Sequence, residues 1–96
     1  MENNYRVDIY IKTISWQKAS IYNVSLGEIE FLKKVIDTEE IKAFDLLNEF
    51  ANTKNEFFNN SETDEIIKTN GIDPTIELNV IKNGESYYYT NAYKDK

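Results

Sequence analysis

Residues 75–91 read TIELNVIKNGESYYYTN, and this stretch decides the fold. Asn83-Gly84 stands between two runs of β-branched and aromatic residues. Both central positions of a type I′ turn need positive φ, which asparagine and glycine tolerate, so the stretch reads as a β-hairpin. A two-residue turn sets the register: Lys82 opposite Glu85, Val80 opposite Tyr87, Leu78 opposite Tyr89 and Ile76 opposite Asn91. Ile76, Leu78, Val80, Tyr87 and Tyr89 then share one face, and Tyr88 points to the other, beside Tyr10. Pro74 stands just ahead of the hairpin, where its missing N–H does little harm.

The opposite end of the chain carries the same period. Tyr5, Val7, Ile9 and Ile11 alternate with Arg6, Asp8, Tyr10 and Lys12, a half-buried strand. A second strand over 18–24 returns through a turn at 13–17. Ser25-Leu26-Gly27-Glu28 has the spacing of a capping box, and Leu26, Ile29, Leu32, Val35 and Ile36 follow at helical intervals, which predicts a helix over 26–36. Asp37 and Glu40 repeat the capping logic for a second helix running to Phe57, with Ile41, Phe44, Leu47 and Ala51 inward. Ser61 or Thr63 starts a short third helix that ends near Asn70-Gly71. The tyrosines fall in the two ends and the phenylalanines in the middle, as this division into strands and helices requires. The expected fold is a single α+β domain over 1–96. It has a four-stranded antiparallel sheet, order β-β-α-α-α-β-β, with the helices packed on one face.

Size and composition limit the chemistry. Ninety-six residues make one small domain with no deep cleft between two lobes. With no cysteine and no histidine there is no thiolate, no disulfide, no Ser-His or Cys-His pair and no imidazole ligand. Three glycines supply no phosphate-binding loop. Asn59, Ser61, Thr63 and Glu65 alternate as loop ligands for a hard cation would, but the glycine such a loop needs is missing. No cofactor and no metal are expected, and no enzymatic activity. The first ten residues, MENNYRVDIY, read as neither a signal nor a transit peptide, and no apolar run reaches membrane-spanning length, so a soluble cytoplasmic protein is expected. The two sequons, at Asn23 and Asn59, then carry no meaning. Ten lysines against one arginine, with much Ile, Asn, Tyr and Phe, match AT-rich codons of a low-GC bacterium or its phage.

The charge is concentrated in one block. Residues 37–65 hold nine acidic and two basic side chains, a net −7 in a chain of net −6. Such a field repels nucleic acid and anionic membrane and attracts basic protein surfaces. With the apolar side of the second helix inward, Asp45, Glu49, Asn52 and Glu56 form one outward stripe. Carboxylates at i and i+4 lie about 6 Å apart along the axis, comparable to neighbouring phosphates on a nucleic-acid strand. Like charges so spaced weaken a helix by a few tenths of a kcal/mol per pair, which makes a functional reason worth considering. A solvated face that keeps the protein soluble would carry the same pattern. Glu62, Asp64 and Glu65 extend the field, and Trp16 and Phe58 are candidate aromatic anchors. Trp16 would equally close the open end of the core. An exposed Tyr88 with Arg6, Lys12, Lys18, Lys82, Lys94 and Lys96 nearby offers a weak base-stacking platform, opposed by a pI near 4.6.

In size, charge and composition the chain resembles small acidic inhibitors of phages and mobile elements: anti-restriction and anti-CRISPR proteins, or toxin-neutralising immunity proteins. That resemblance implies a nucleic-acid mimic that occupies the basic surface of a nucleic-acid-handling protein. Asp45, Glu49 and Glu56 would make the first contacts, with Glu62, Asp64, Glu65, Trp16 and Phe58 around them. The chain itself would be a monomer or homodimer that touches neither nucleic acid nor membrane. The alternatives are an immunity protein and a self-assembling structural module.

Overall fold

A computed structural model describes residues 5–12, 15–60 and 75–91. The described elements are β1 (Tyr5–Lys12), β2 (Trp16–Val24), α1 (Leu26–Val35), α2 (Glu40–Thr53), β3 (Asn59–Asn60), β4 (Ile76–Lys82) and β5 (Glu85–Thr90). They form an α+β domain with an antiparallel sheet in the order β3-β2-β1-β4-β5 and two helices. The sheet has five strands rather than four, because Asn59 and Asn60 pair with Lys18 and Gln17 along the outer side of β2. Two asparagines carry no apolar alternation, so nothing in their sequence announces a strand. The expected third helix lies outside the described residues.

The hairpin register holds: Lys82 faces Glu85, Val80 faces Tyr87 and Leu78 faces Tyr89. Asn83 and Gly84 take φ of 55° and 81°, the left-handed values the turn requires. Thr75 and Ile76 both donate their N–H to Asn91 Oδ1, at 3.0 and 3.1 Å, so Asn91 closes the open end. β1 lies between β2 and β4, with Ile9 opposite both Ala19 and Leu78. Among the described strands the first is therefore central, and the last forms an edge.

One sheet face is apolar. Val7, Ile9, Ile11, Ala19, Ile21, Ile76, Leu78 and Val80 are each no more than 2 % exposed. Burying each large aliphatic among them contributes about 1.5–3 kcal/mol. The pairing slips between Tyr5 and Val7, where β2 carries an extra residue and Asn23 takes φ 60°. Strict alternation from Ile21 would send Asn23 to the core and Val24 away. The bulge resets the phase, and Val24 is fully buried.

The capping box forms as its spacing predicts: Ser25 Oγ accepts from the Glu28 N–H at 3.2 Å, and Glu28 Oε1 accepts from the Ser25 N–H at 2.9 Å. The second box does not form. Asp37 lies in the turn after α1, its N–H bonded to Lys34, and α2 starts from Glu39 with no side-chain cap. α2 ends at Thr53, four residues short of Phe57. Asn55 takes φ 62°, and the N–H groups of Asn55 and Glu56 return to the carbonyls of Asn52 and Ala51. That is a Schellman termination with asparagine in the usual glycine position. The buried side of α2 is also rotated: Ala43, Leu47, Phe50 and Ala51 are buried, Phe44 is half-buried and Ile41 is 75 % exposed.

Candidate functional site

The outer surface of α2 carries Asp45, Glu49 and Asn52, all exposed, opposite the buried Ala43 and Leu47. Glu56 does not belong to that stripe. It follows the helix end as residue C″ of the termination and is half-buried. Exposed Asp37, Glu39 and Glu40 continue the field at the other end of α2. Over 37–53 there are five acids and one base, Lys42. Glu62, Asp64 and Glu65 lie outside the described residues.

The arrangement of lysines sets α1 and α2 apart. Lys54, the other base of the acidic block, points away from α2's own acids. Its Nζ meets Glu28 Oε1 at 3.1 Å and the Asn23 carbonyl at 3.3 Å, and stands 5.9 Å from the centre of the Phe50 ring. Burial alone would raise the Glu28 carboxyl. The hydrogen bond from the Ser25 N–H and the charge and hydrogen bond of Lys54 outweigh it, and hold the group below its ordinary value. Lys33 pairs with Glu30 at 3.6 Å and lies 4.6 Å over the Tyr89 ring. Among the described residues, the ion pairs use Asp8, Glu28 and Glu30, and none reaches Asp45, Glu49 or Glu56. Among the described residues, the α1 acids are neutralised within the chain and the α2 acids are not.

Beside Glu49 the helices part over an apolar hollow of about 210 Å³, lined by Phe31, Leu46, Glu49, Phe50 and Thr53. Its floor is a tilted pair of rings, Phe31 and Phe50, with centroids 6.3 Å apart. Phe31 is 43 % exposed. Sequence periodicity alone does not find this hollow, because Phe31 and Leu46 fall between the core and solvent sides of their helices. Of the expected anchors, Phe58 packs partly buried against the core, and Trp16 opens β2, half-buried and opposite Lys12.

The sheet face away from the core is polar, and its centre is buried. Asp8 is 3 % exposed, Tyr10 1 %, Glu77 0 % and Asn79 8 %. Register puts Ser20, Asp8, Asn79 and Tyr88 in one row, and Lys18, Tyr10, Glu77 and Thr90 in the next. Asp8 takes Arg6 at 3.1 Å and Lys18 at 3.8 Å. Arg6 also lies 5.3 Å from the Tyr22 ring centre and Lys18 5.4 Å from that of Tyr10. Two of the cations that could have met phosphates are thus turned on the chain's own carboxylate. Tyr10 is no exposed stacking surface.

Among the described residues no group of three or more carboxylates is placed to hold a metal ion, and no helix is long and apolar enough to cross a membrane. No family model matches the chain, and neither a curated protein nor a solved structure matches it.

Proposed function

We propose that this chain is a small non-enzymatic binding protein that uses the outer surface of α2 to occupy a basic surface of a nucleic-acid-handling protein, and so inhibits it. One observation carries this reading: Asp45 and Glu49 are exposed and form no ion pair among the described residues, while lysines of the same chain neutralise Glu28 and Glu30. A surface built only for solubility needs no such division. Two carboxylates about 6 Å apart along a helix present charge to a groove that holds phosphates. Opposite charge raises the association rate, and a contact that excludes water slows dissociation. The hollow at Phe31, Leu46 and Phe50 supplies the second part directly beside the first.

The test is competition. The immobilised chain should retain a nucleic-acid-binding host protein that duplex DNA or heparin displaces, because the polyanion and α2 seek the same surface. Asp45→Lys with Glu49→Lys should lose retention while circular dichroism stays native. A partner that polyanions fail to displace and that the charge-reversed chain still holds would reject the reading.

A further inference from the structure

We propose that β5 is an assembly edge: two copies of this chain pair through it, antiparallel about a two-fold axis, and join their sheets into one. This inference is independent of the reading for α2.

The register shows which backbone groups are presented. Lys82 and Glu85 flank a two-residue turn, so they bond each other, as do Val80 and Tyr87. The intervening Ser86 and Tyr88 direct their N–H and C=O away from β4. The opposite side of β4 confirms the phase. Lys12 donates its N–H to the Thr75 carbonyl at 2.9 Å, which places odd-numbered bonding groups toward β1 and even-numbered ones toward β5. β5 ends the sheet order, and Glu85, Ser86, Tyr87 and Tyr88 are all exposed.

Edge strands normally carry devices against pairing: lysines, proline, a bulge or extreme shortness. The sheet's other edge has one, since β3 is two residues of asparagine. β5 has none. Its six residues, ESYYYT, hold one charge, no proline and no glycine, and its pairing with β4 runs without a bulge. Tyr87 and Tyr88 are each 49 % exposed, one on either face of the sheet.

A second copy fits this edge by symmetry. Pairing Ser86 with Tyr88 of the other copy, and Tyr88 with its Ser86, satisfies the outward groups of both residues on both strands at once. Directly opposite residues share a face, so Tyr87 lies against its own equivalent, and the two Tyr88 rings become diagonal neighbours within reach. Glu85 falls opposite Tyr89, so the single carboxylate of each strand avoids its equivalent. The joint is thus nearly free of charge, although each chain carries −6.

Sedimentation equilibrium of the full chain at physiological salt, from low micromolar to near-millimolar concentration, reads the proposal. The mass should rise reversibly from 11.3 kDa to twice that value. Ser86→Pro removes an outward N–H at an edge position that accepts proline, and Tyr88→Lys installs the missing charge. Each should weaken the dimer about tenfold or more, the effect of losing about 1.4 kcal/mol of contact. Both variants should keep the native circular dichroism and thermal transition. A monomer at every concentration, a dimer that both variants retain, or an open series of larger species would each overturn the proposal.

Discussion

Glu28 ties the start of α1 to the end of α2, and the strength of that tie can be worked out before it is measured. One carboxylate oxygen accepts from the Ser25 N–H at 2.9 Å and from Lys54 Nζ at 3.1 Å. Glu28→Gln keeps an acceptor for the backbone but removes the charge. The Glu28 side chain is 35 % exposed and that of Lys54 24 %, so solvent screens the pair and the loss should be about 1 kcal/mol. Lys54→Met removes the same pair together with its bond to the Asn23 carbonyl, again about 1 kcal/mol. The double variant loses the shared contact only once, so its cost should fall about 0.5–1 kcal/mol below the sum. A urea slope of about 1–3 kcal/mol per molar turns each single loss into a midpoint shift of about 0.3–1 M. The pH dependence has a definite sign. The folded carboxyl titrates below its ordinary value, so its contribution is complete above the unfolded value near 4.5 and fades as pH falls through the folded one. Wild type and Glu28→Gln should therefore converge in acid. Strict additivity at neutral pH, or a gap that persists once the carboxyl is protonated, would show that the tie contributes nothing.

Three further substitutions separate structure from pattern. Ile41→Lys should change stability by less than about 0.5 kcal/mol in thermal unfolding, because Ile41 is 75 % exposed. Leu47→Ala, one residue type away and fully buried, should cost about 2–5 kcal/mol on the same helix. Gly84→Ala should cost about 1–2 kcal/mol through backbone strain alone, since φ is 81° and an added Cβ meets nothing within 4 Å. Chemical denaturation would show that cost with no change in slope.

What the sequence made legible were the elements whose cause is local. Asn83-Gly84 fixes its hairpin because two adjacent residues supply both positive φ values, and Ser25 with Glu28 fixes the start of α1 because the box closes within four residues. The errors come from causes outside the window being read. Ile41 fits the inward spacing of α2, yet the helix is turned by what it packs on: Phe50, about half a turn around from Ile41, is buried and Ile41 is exposed. The end of α2 was readable in principle, since Lys54-Asn55 offers an asparagine suited to the left-handed C′ position. The apolar period through Phe57 hid that signal. β3 exists only because β2 has an unpaired side to offer, which no property of Asn59 or Asn60 records. The acidic block was plain in the sequence, but the division of labour within it was not. Lys54 lies in the middle of that block and crosses to Glu28 on the other helix, a contact 26 residues away in sequence. Glu56 shows the converse: it fits the stripe by spacing, but the chain has left the helix before it is reached.

The two surfaces have a geometric relation that follows from the sheet alone. A two-fold axis that pairs β5 with its equivalent antiparallel must stand perpendicular to the sheet, because directly opposite residues share a face. Both helical layers then lie on the same side of the joined sheet, and both α2 surfaces face the same way. A dimer so built presents its acids twice toward one target, and the second contact becomes intramolecular once the first is made. The rigid sheet, rather than a flexible linker, sets the spacing, so the gain is large for targets with two basic grooves at that spacing and absent for others. In such a dimer the neutral edge and the charged helix would serve different ends. Tyrosines and backbone groups would join like-charged chains where charge would oppose them, and the carboxylates would remain open to a cationic surface.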